Sequence, residues 1–224
     1  MFSDDQSIFE FRGPWRVPVQ IGPSILLMVL LFVSFTGSPR EIAYDLAFLA
    51  MVVGSILLHE LGHAWGCLIQ DVPVRRVMLH GFGGYCQHAR ATTPRESELI
   101  VAMGPIVTVV LWAVSGLIVW AMQTADRPYD TVMWFFMTLS WLNGYLAVFN
   151  LLPIAPLDGG KIFELIVLRF TDGQRASRIA GVVGMAGLVV VVPYLLVEAR
   201  VWAFALFFLP AVMVNWNKLR GLSC

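Results

Sequence analysis

Apolar positions in this chain gather into long runs, and the runs neither alternate nor repeat at short intervals. A bilayer-crossing helix needs about 20 consecutive apolar residues. Six windows approach that length: residues 19–35, 42–69, 99–122, 131–152, 179–197 and 201–216. Only Glu198-Ala199-Arg200 separates the last two, which predicts a tight helical hairpin. One stretch breaks the pattern. Val72 to Leu79 and Tyr85 to His88 have strand-like composition around the glycine-rich Gly81-Phe82-Gly83-Gly84. The fold class predicted is an all-α polytopic membrane protein of six transmembrane helices. It carries a small β-hairpin, over about residues 72–88, between helices two and three. The whole of residues 1–224 reads as one domain.

Composition agrees. The chain is 58% hydrophobic and 13% charged, against roughly 25% charged in a soluble domain. The net charge of zero excludes an electrostatic case for nucleic acid. Cys67, Cys86 and Cys224 have no paired spacing and read as thiols. Acidic Asp4, Asp5 and Glu10 near the N-terminus do not suit a signal peptide. Six spans put Arg12, Arg16, Arg75, Arg76, Arg90, Arg95, Lys161, Arg169, Arg175, Arg178, Lys218 and Arg220 on one side of the membrane. Arg40, Arg127 and Arg200 fall on the other. The excess of positive charge predicts a multi-pass protein with both termini in the cytoplasm.

Ionisable groups at bilayer depth are costly and mark function. The second window holds His59-Glu60-Leu61-Gly62-His63, with no charge in the adjoining Leu46–Leu58 or Ala64–Ile69. On a helix, i and i+4 share a face. His59 and His63 therefore present two imidazoles to one zinc ion, and Glu60 stands beside it as a candidate general base. A catalytic zinc takes three protein ligands and leaves one position open. The best candidate for the third is Asp158, in Asn150-Leu151-Leu152-Pro153-Ile154-Ala155-Pro156-Leu157-Asp158-Gly159-Gly160. Pro153 and Pro156 break the helix there, and broken backbone at membrane depth belongs to buried or cavity-lining sites. Asn150 has two readings: a hydrogen bond to substrate or water, or an interhelical one. Asn143 reads as structural. His80 and His88 read as interfacial or structural. Gly83 and Gly84 form the turn and are also candidates to shape a substrate site.

The His59–His63 motif in an apolar helix, together with Asn150-x-x-Pro153-x-x-Pro156-Leu157-Asp158-Gly159-Gly160, resembles the site-2 protease family of intramembrane zinc metalloproteases. Gly81–Tyr85 and Gly104-Pro105 share that likeness, which runs over about residues 18–217. The resemblance implies one zinc per chain on His59, His63 and Asp158. It also implies Glu60 as acid and base, and a hairpin that re-enters the membrane. The activity it implies is cleavage of membrane-anchored proteins near the cytoplasmic leaflet, in regulated intramembrane proteolysis. The expected partners are a transmembrane protein substrate, a regulatory membrane protein and the lipid bilayer. No PDZ insertion or nucleotide-sensing module is expected, and the short form suits a prokaryotic cell membrane. Two alternatives remain: a prenyl-type membrane protease, or a catalytically silent zinc-binding or transport protein. Helices one, five and six carry no motif and are the candidate gate.

Overall fold

The computed structural model describes residues 7–197 and 202–222. It divides into two compact units, Met1–Ala147 and Val148–Cys224. The tight turn expected at Glu198-Ala199-Arg200 lies outside the described residues.

The first unit opens with two strands, β1 (Phe9–Arg12) and β2 (Pro18–Ile21), and a short helix, α1 (Ile25–Phe32). Two long helices follow, α2 (Pro39–Leu68) and α3 (Pro94–Thr124), with β3 (Val74–His80) and β4 (Gly83–His88) between them. Both long helices begin with a proline and a complete capping box, Ser38 with Glu41 and Thr93 with Glu96. Each box satisfies amide donors that the first turn would otherwise leave unpaired. Helix α4 (Thr131–Asn150) runs to the boundary of the units. The second unit adds α5 (Asp158–Leu168), α6 (Gly173–Val197) and α7 (Trp202–Leu219).

Four helices among the described residues are long and apolar enough to cross a membrane: α2, α3, α4 and α6. Their outer faces are strongly apolar: Leu117, Trp120, Val189 and Val190 are each more than 60% exposed. So broad an apolar surface is tolerated where lipid covers it. The chain is a membrane protein.

Among the described residues, the six windows do not all form helices long and apolar enough to span. The first window folds as β2 and α1. An eight-residue helix rises about 12 Å, well short of a hydrocarbon core of about 30 Å. Gly22 and Pro23 separate the strand from the helix, and Val19 and Ile21 pair with Val77 and Leu79 in parallel. The sixth window holds α7, which is not one of the four; its last turns carry Asn215, Asn217 and Lys218.

The hairpin is likewise part of something larger. The sheet has four strands in the order β1-β2-β3-β4, antiparallel except for the β2–β3 pair. Val17, Val19, Ala64 and Val77 form the core between this sheet and α2. Strand β4 is an edge. It leaves the two-residue turn through Gly83, whose φ of 125° suits only glycine.

Helices α2 and α3 approach closely because Gly62 and Gly66 lie one turn apart on α2. A Cβ at Gly62 would stand 2.7 Å from the Met103 carbonyl oxygen, and one at Gly66 2.9 Å from the Ile100 Cα. Small residues at this spacing let membrane helices pack backbone to backbone.

Candidate metal centre

That close packing builds the site. His59, Glu60 and His63 are all buried on α2, with one ligand atom from each within 4.8 Å of the others. The two Nε2 atoms are 3.2 Å apart. Two nitrogens, each about 2.0–2.1 Å from a tetrahedral zinc, would be about 3.3 Å apart. The pair therefore fits one shared ion.

Both imidazoles are held from behind by α3. His63 Nδ1 donates to the Ile100 carbonyl at 2.8 Å. His59 Nδ1 lies 2.8 Å from the Thr108 hydroxyl, which itself donates to the Gly104 carbonyl at 3.1 Å. A carbonyl only accepts, and the Thr108 proton is already committed, so each Nδ1 carries the hydrogen. In the neutral rings each Nε2 then offers a lone pair. Orienting partners of this kind fix ring geometry and strengthen metal ligands. Replacing Thr108 by Val should weaken zinc binding about tenfold, within the range for such partners. Competition with a chromophoric chelator measures this, and Thr108→Ser should restore wild-type affinity.

Gly104 faces the same nitrogens. A Cβ at this position would overlap the His63 ring and stand 2.8 Å from His59 Nε2. Gly84, on the edge strand, does the equivalent for the glutamate. Its Cβ would stand 2.7 Å from Glu60 Cγ and 3.1 Å from Oε1. Of the two glycines expected near substrate, Gly84 touches the site and Gly83 makes the turn. One turn before His59, Ser55 accepts a hydrogen bond from Asn143 Nδ2 at 3.0 Å. The Asn143 Oδ1 is buried without a hydrogen-bond partner.

Neither of the other histidines joins the cluster. His80 Nδ1 accepts from the Phe82 amide, and His88 Nδ1 bonds the Arg90 carbonyl. Asn150 is the last residue of α4.

In the second unit, Asp158 is the first residue of α5 and is half-buried. The loop before it is tight, and the peptide between Ala155 and Pro156 is cis. A Cβ at Gly159 would overlap the Leu151 and Leu152 carbonyls, and one at Gly160 would stand 2.6 Å from the Ile154 carbonyl carbon. The two glycines therefore let α5 start directly against the loop.

Nothing in the sequence alone marked Thr108, which shares the 99–122 apolar window with a second hydroxyl, Ser115. Nothing marked Asn215 either, a polar side chain inside the last apolar window.

A histidine pair and a glutamate buried in an apolar helix, under the edge of a small sheet, form a group that could hold a metal ion. The chain belongs to peptidase family M50, whose profile matches residues 47–125 and 113–193. It is 26% identical over 178 residues to a zinc metalloprotease of Methanocaldococcus jannaschii, covering 79% of this chain and 50% of that protein. It is 28% identical over 127 residues to stage IV sporulation protein FB of Bacillus subtilis, covering 55% of this chain and 41% of that one. The chain thus spans about half or less of the length of these relatives. Among solved structures, the site-2 protease from Methanocaldococcus jannaschii shares its fold, with a TM-score of 0.66 and 19% identity. That match covers 96% of this chain and 95% of the other.

Proposed function

We propose that this protein is a zinc-dependent intramembrane endopeptidase that hydrolyses peptide bonds of membrane-anchored proteins near the cytoplasmic leaflet. The observation that carries the reading is the buried His59–His63 pair, with its Nε2 atoms 3.2 Å apart and Glu60 beside them. His59, His63 and Asp158 would hold one zinc per chain. The ion, when bound, would supply Lewis acidity toward water and toward the scissile carbonyl. Glu60 takes the proton from the attacking water and returns it to the leaving nitrogen. Thr108 and the Ile100 carbonyl keep both imidazoles aimed throughout.

A helical substrate hides its carbonyls in its own hydrogen bonds, so it must be extended before it is cut. The edge of β4 supports a way to do this. Among the described residues no further strand pairs with it on the side away from β3, and Gly84 lies against Glu60. A substrate segment that pairs with β4 as an added strand would be drawn out beside the glutamate. Asn150 would hydrogen-bond the substrate or the water. Regulation by another membrane protein, a prokaryotic cell membrane and cytoplasmic termini complete the proposal, the last on the distribution of Lys and Arg.

Metal analysis by mass spectrometry of detergent-purified protein tests the ligand set. Wild type should carry about one zinc per chain, and Asp158→Ala should lose most of it. Full zinc in Asp158→Ala would remove Asp158 from the set. No zinc in either protein, purified without chelators, would overturn the protease reading.

A further inference from the structure

Asp158 stands in a segment that is gripped on both sides by the last helix. Before it in the chain, Ala155 is held by a single buried side chain of α7. Asn215 Oδ1 accepts from the Ala155 amide at 3.3 Å, and Asn215 Nδ2 donates to the Ala155 carbonyl at 2.6 Å. One amide group thus satisfies both backbone groups of one loop residue, as a neighbouring strand would. The same Nδ2 also donates to the Ala211 carbonyl at 2.7 Å. After Asp158, Glu164 of α5 accepts from Lys218 Nζ at 2.8 Å, and Lys218 lies one turn beyond Asn215. Burial pushes the Glu164 carboxyl up, but the bond from Lys218 and the charges of Lys161 and Lys218 outweigh it, and the group is held below its usual value.

Helix α6 is shaped to leave room for this grip. A Cβ at Gly184 would overlap Asn215 Oδ1 and stand 2.6 Å from its Cγ. A Cβ at Gly181 would stand 2.8 Å from the Asn215 carbonyl oxygen, and one at Gly187 2.9 Å from Ile154 Cγ1. Asn215 and Ile154 are fully buried. A buried amide is costly unless its hydrogen bonds are made, and here they are made to the loop.

We infer that Asn215 is a positioning residue that fixes the Ala155–Asp158 segment and so sets the place of the Asp158 carboxylate. The inference rests on Asp158 being a metal ligand. It makes α7 part of the metal centre's support, so that any displacement of α7 against α6 is felt at Ala155.

Zinc affinity in detergent, by competition with a chromophoric chelator, and the visible spectrum of the cobalt(II)-loaded protein test it. Asn215→Leu should bind zinc 10- to 100-fold more weakly and alter the intensity of the cobalt bands. Gly184→Ala keeps the asparagine but forces it aside, and should do the same. In an Asn215→Ala background, Gly184→Ala should add nothing further. Wild-type zinc affinity and cobalt spectrum in both Asn215→Leu and Gly184→Ala would overturn the inference, as would additive losses in the double variant. If Asn215→Leu does not fold, Gly184→Ala and the double variant decide alone. Zinc lost in Asp158→Ala but kept in both Asn215→Leu and Gly184→Ala sinks this inference and leaves the ligand set standing. Zinc kept in Asp158→Ala sinks the ligand reading itself.

Discussion

Glu60→Gln should abolish peptide hydrolysis while leaving the metal in place. The glutamate lies on the same buried face as the histidines, with its ligand-type oxygen within the same 4.8 Å cluster. Glutamine keeps the shape and the fit against Gly84, but cannot take a proton. General acid and base catalysis is worth about 10²–10⁴-fold, and in the proposed mechanism one group serves both steps, so the loss should lie at or beyond the upper end. Zinc content should stay at the wild-type level, because both imidazoles are oriented by α3 and not by Glu60. The measurement is cleavage of a single-span model substrate reconstituted with the protein in vesicles, beside metal content from the same preparation. Wild-type turnover in the variant would end the claim that Glu60 moves the proton.

Gly104→Ala should have the largest effect on the metal itself. One methyl group is added, but it enters the space between the two Nε2 atoms, overlapping the His63 ring and standing 2.8 Å from His59. Neither ring can simply retreat. Each is tethered through Nδ1 to α3, the helix that carries Gly104, and Gly62 and Gly66 fix how near that helix lies. The expected result is zinc content near zero, measured by mass spectrometry, in a protein that still folds. Helical content by circular dichroism and monodispersity in detergent check the folding. An alanine variant with full zinc would show that α3 can slide on α2, and the close-packed seam would not be what positions the ligands.

The candidate site was legible in the sequence to different depths. His59, Glu60 and His63 could be read because helical periodicity converts their spacing directly into a shared face. The two glycines after Asp158 could be read as a turn, but not as the seat of α5 against the Leu151 and Leu152 carbonyls. Thr108 and Asn215 could not be assigned. A polar residue in an apolar span announces that it has a partner, and says nothing of which helix supplies one. The first window misled for a different reason. Hydrophobicity measures transfer into lipid or core, and Val19 and Ile21 satisfy it equally well as strand residues of a sheet packed on α2. Pro18, Gly22 and Pro23 carried the contrary signal, since an uninterrupted helix would not tolerate them there.

The parallel pairing of β2 with β3 bears on how the protein is made. Val19, Gln20 and Ile21 find their partners in Val77, Met78 and Leu79, which leave the ribosome only after all of α2. Until then β2 has only β1 to pair with, and the bare amide groups of its other edge cannot rest in hydrocarbon. The N-terminal hairpin must therefore wait in a hydrated place while α2 inserts, and the sheet beside Glu60 closes only once β3 has been made. Biogenesis would in this way keep the cutting centre unassembled until the helix that carries it is already in the membrane.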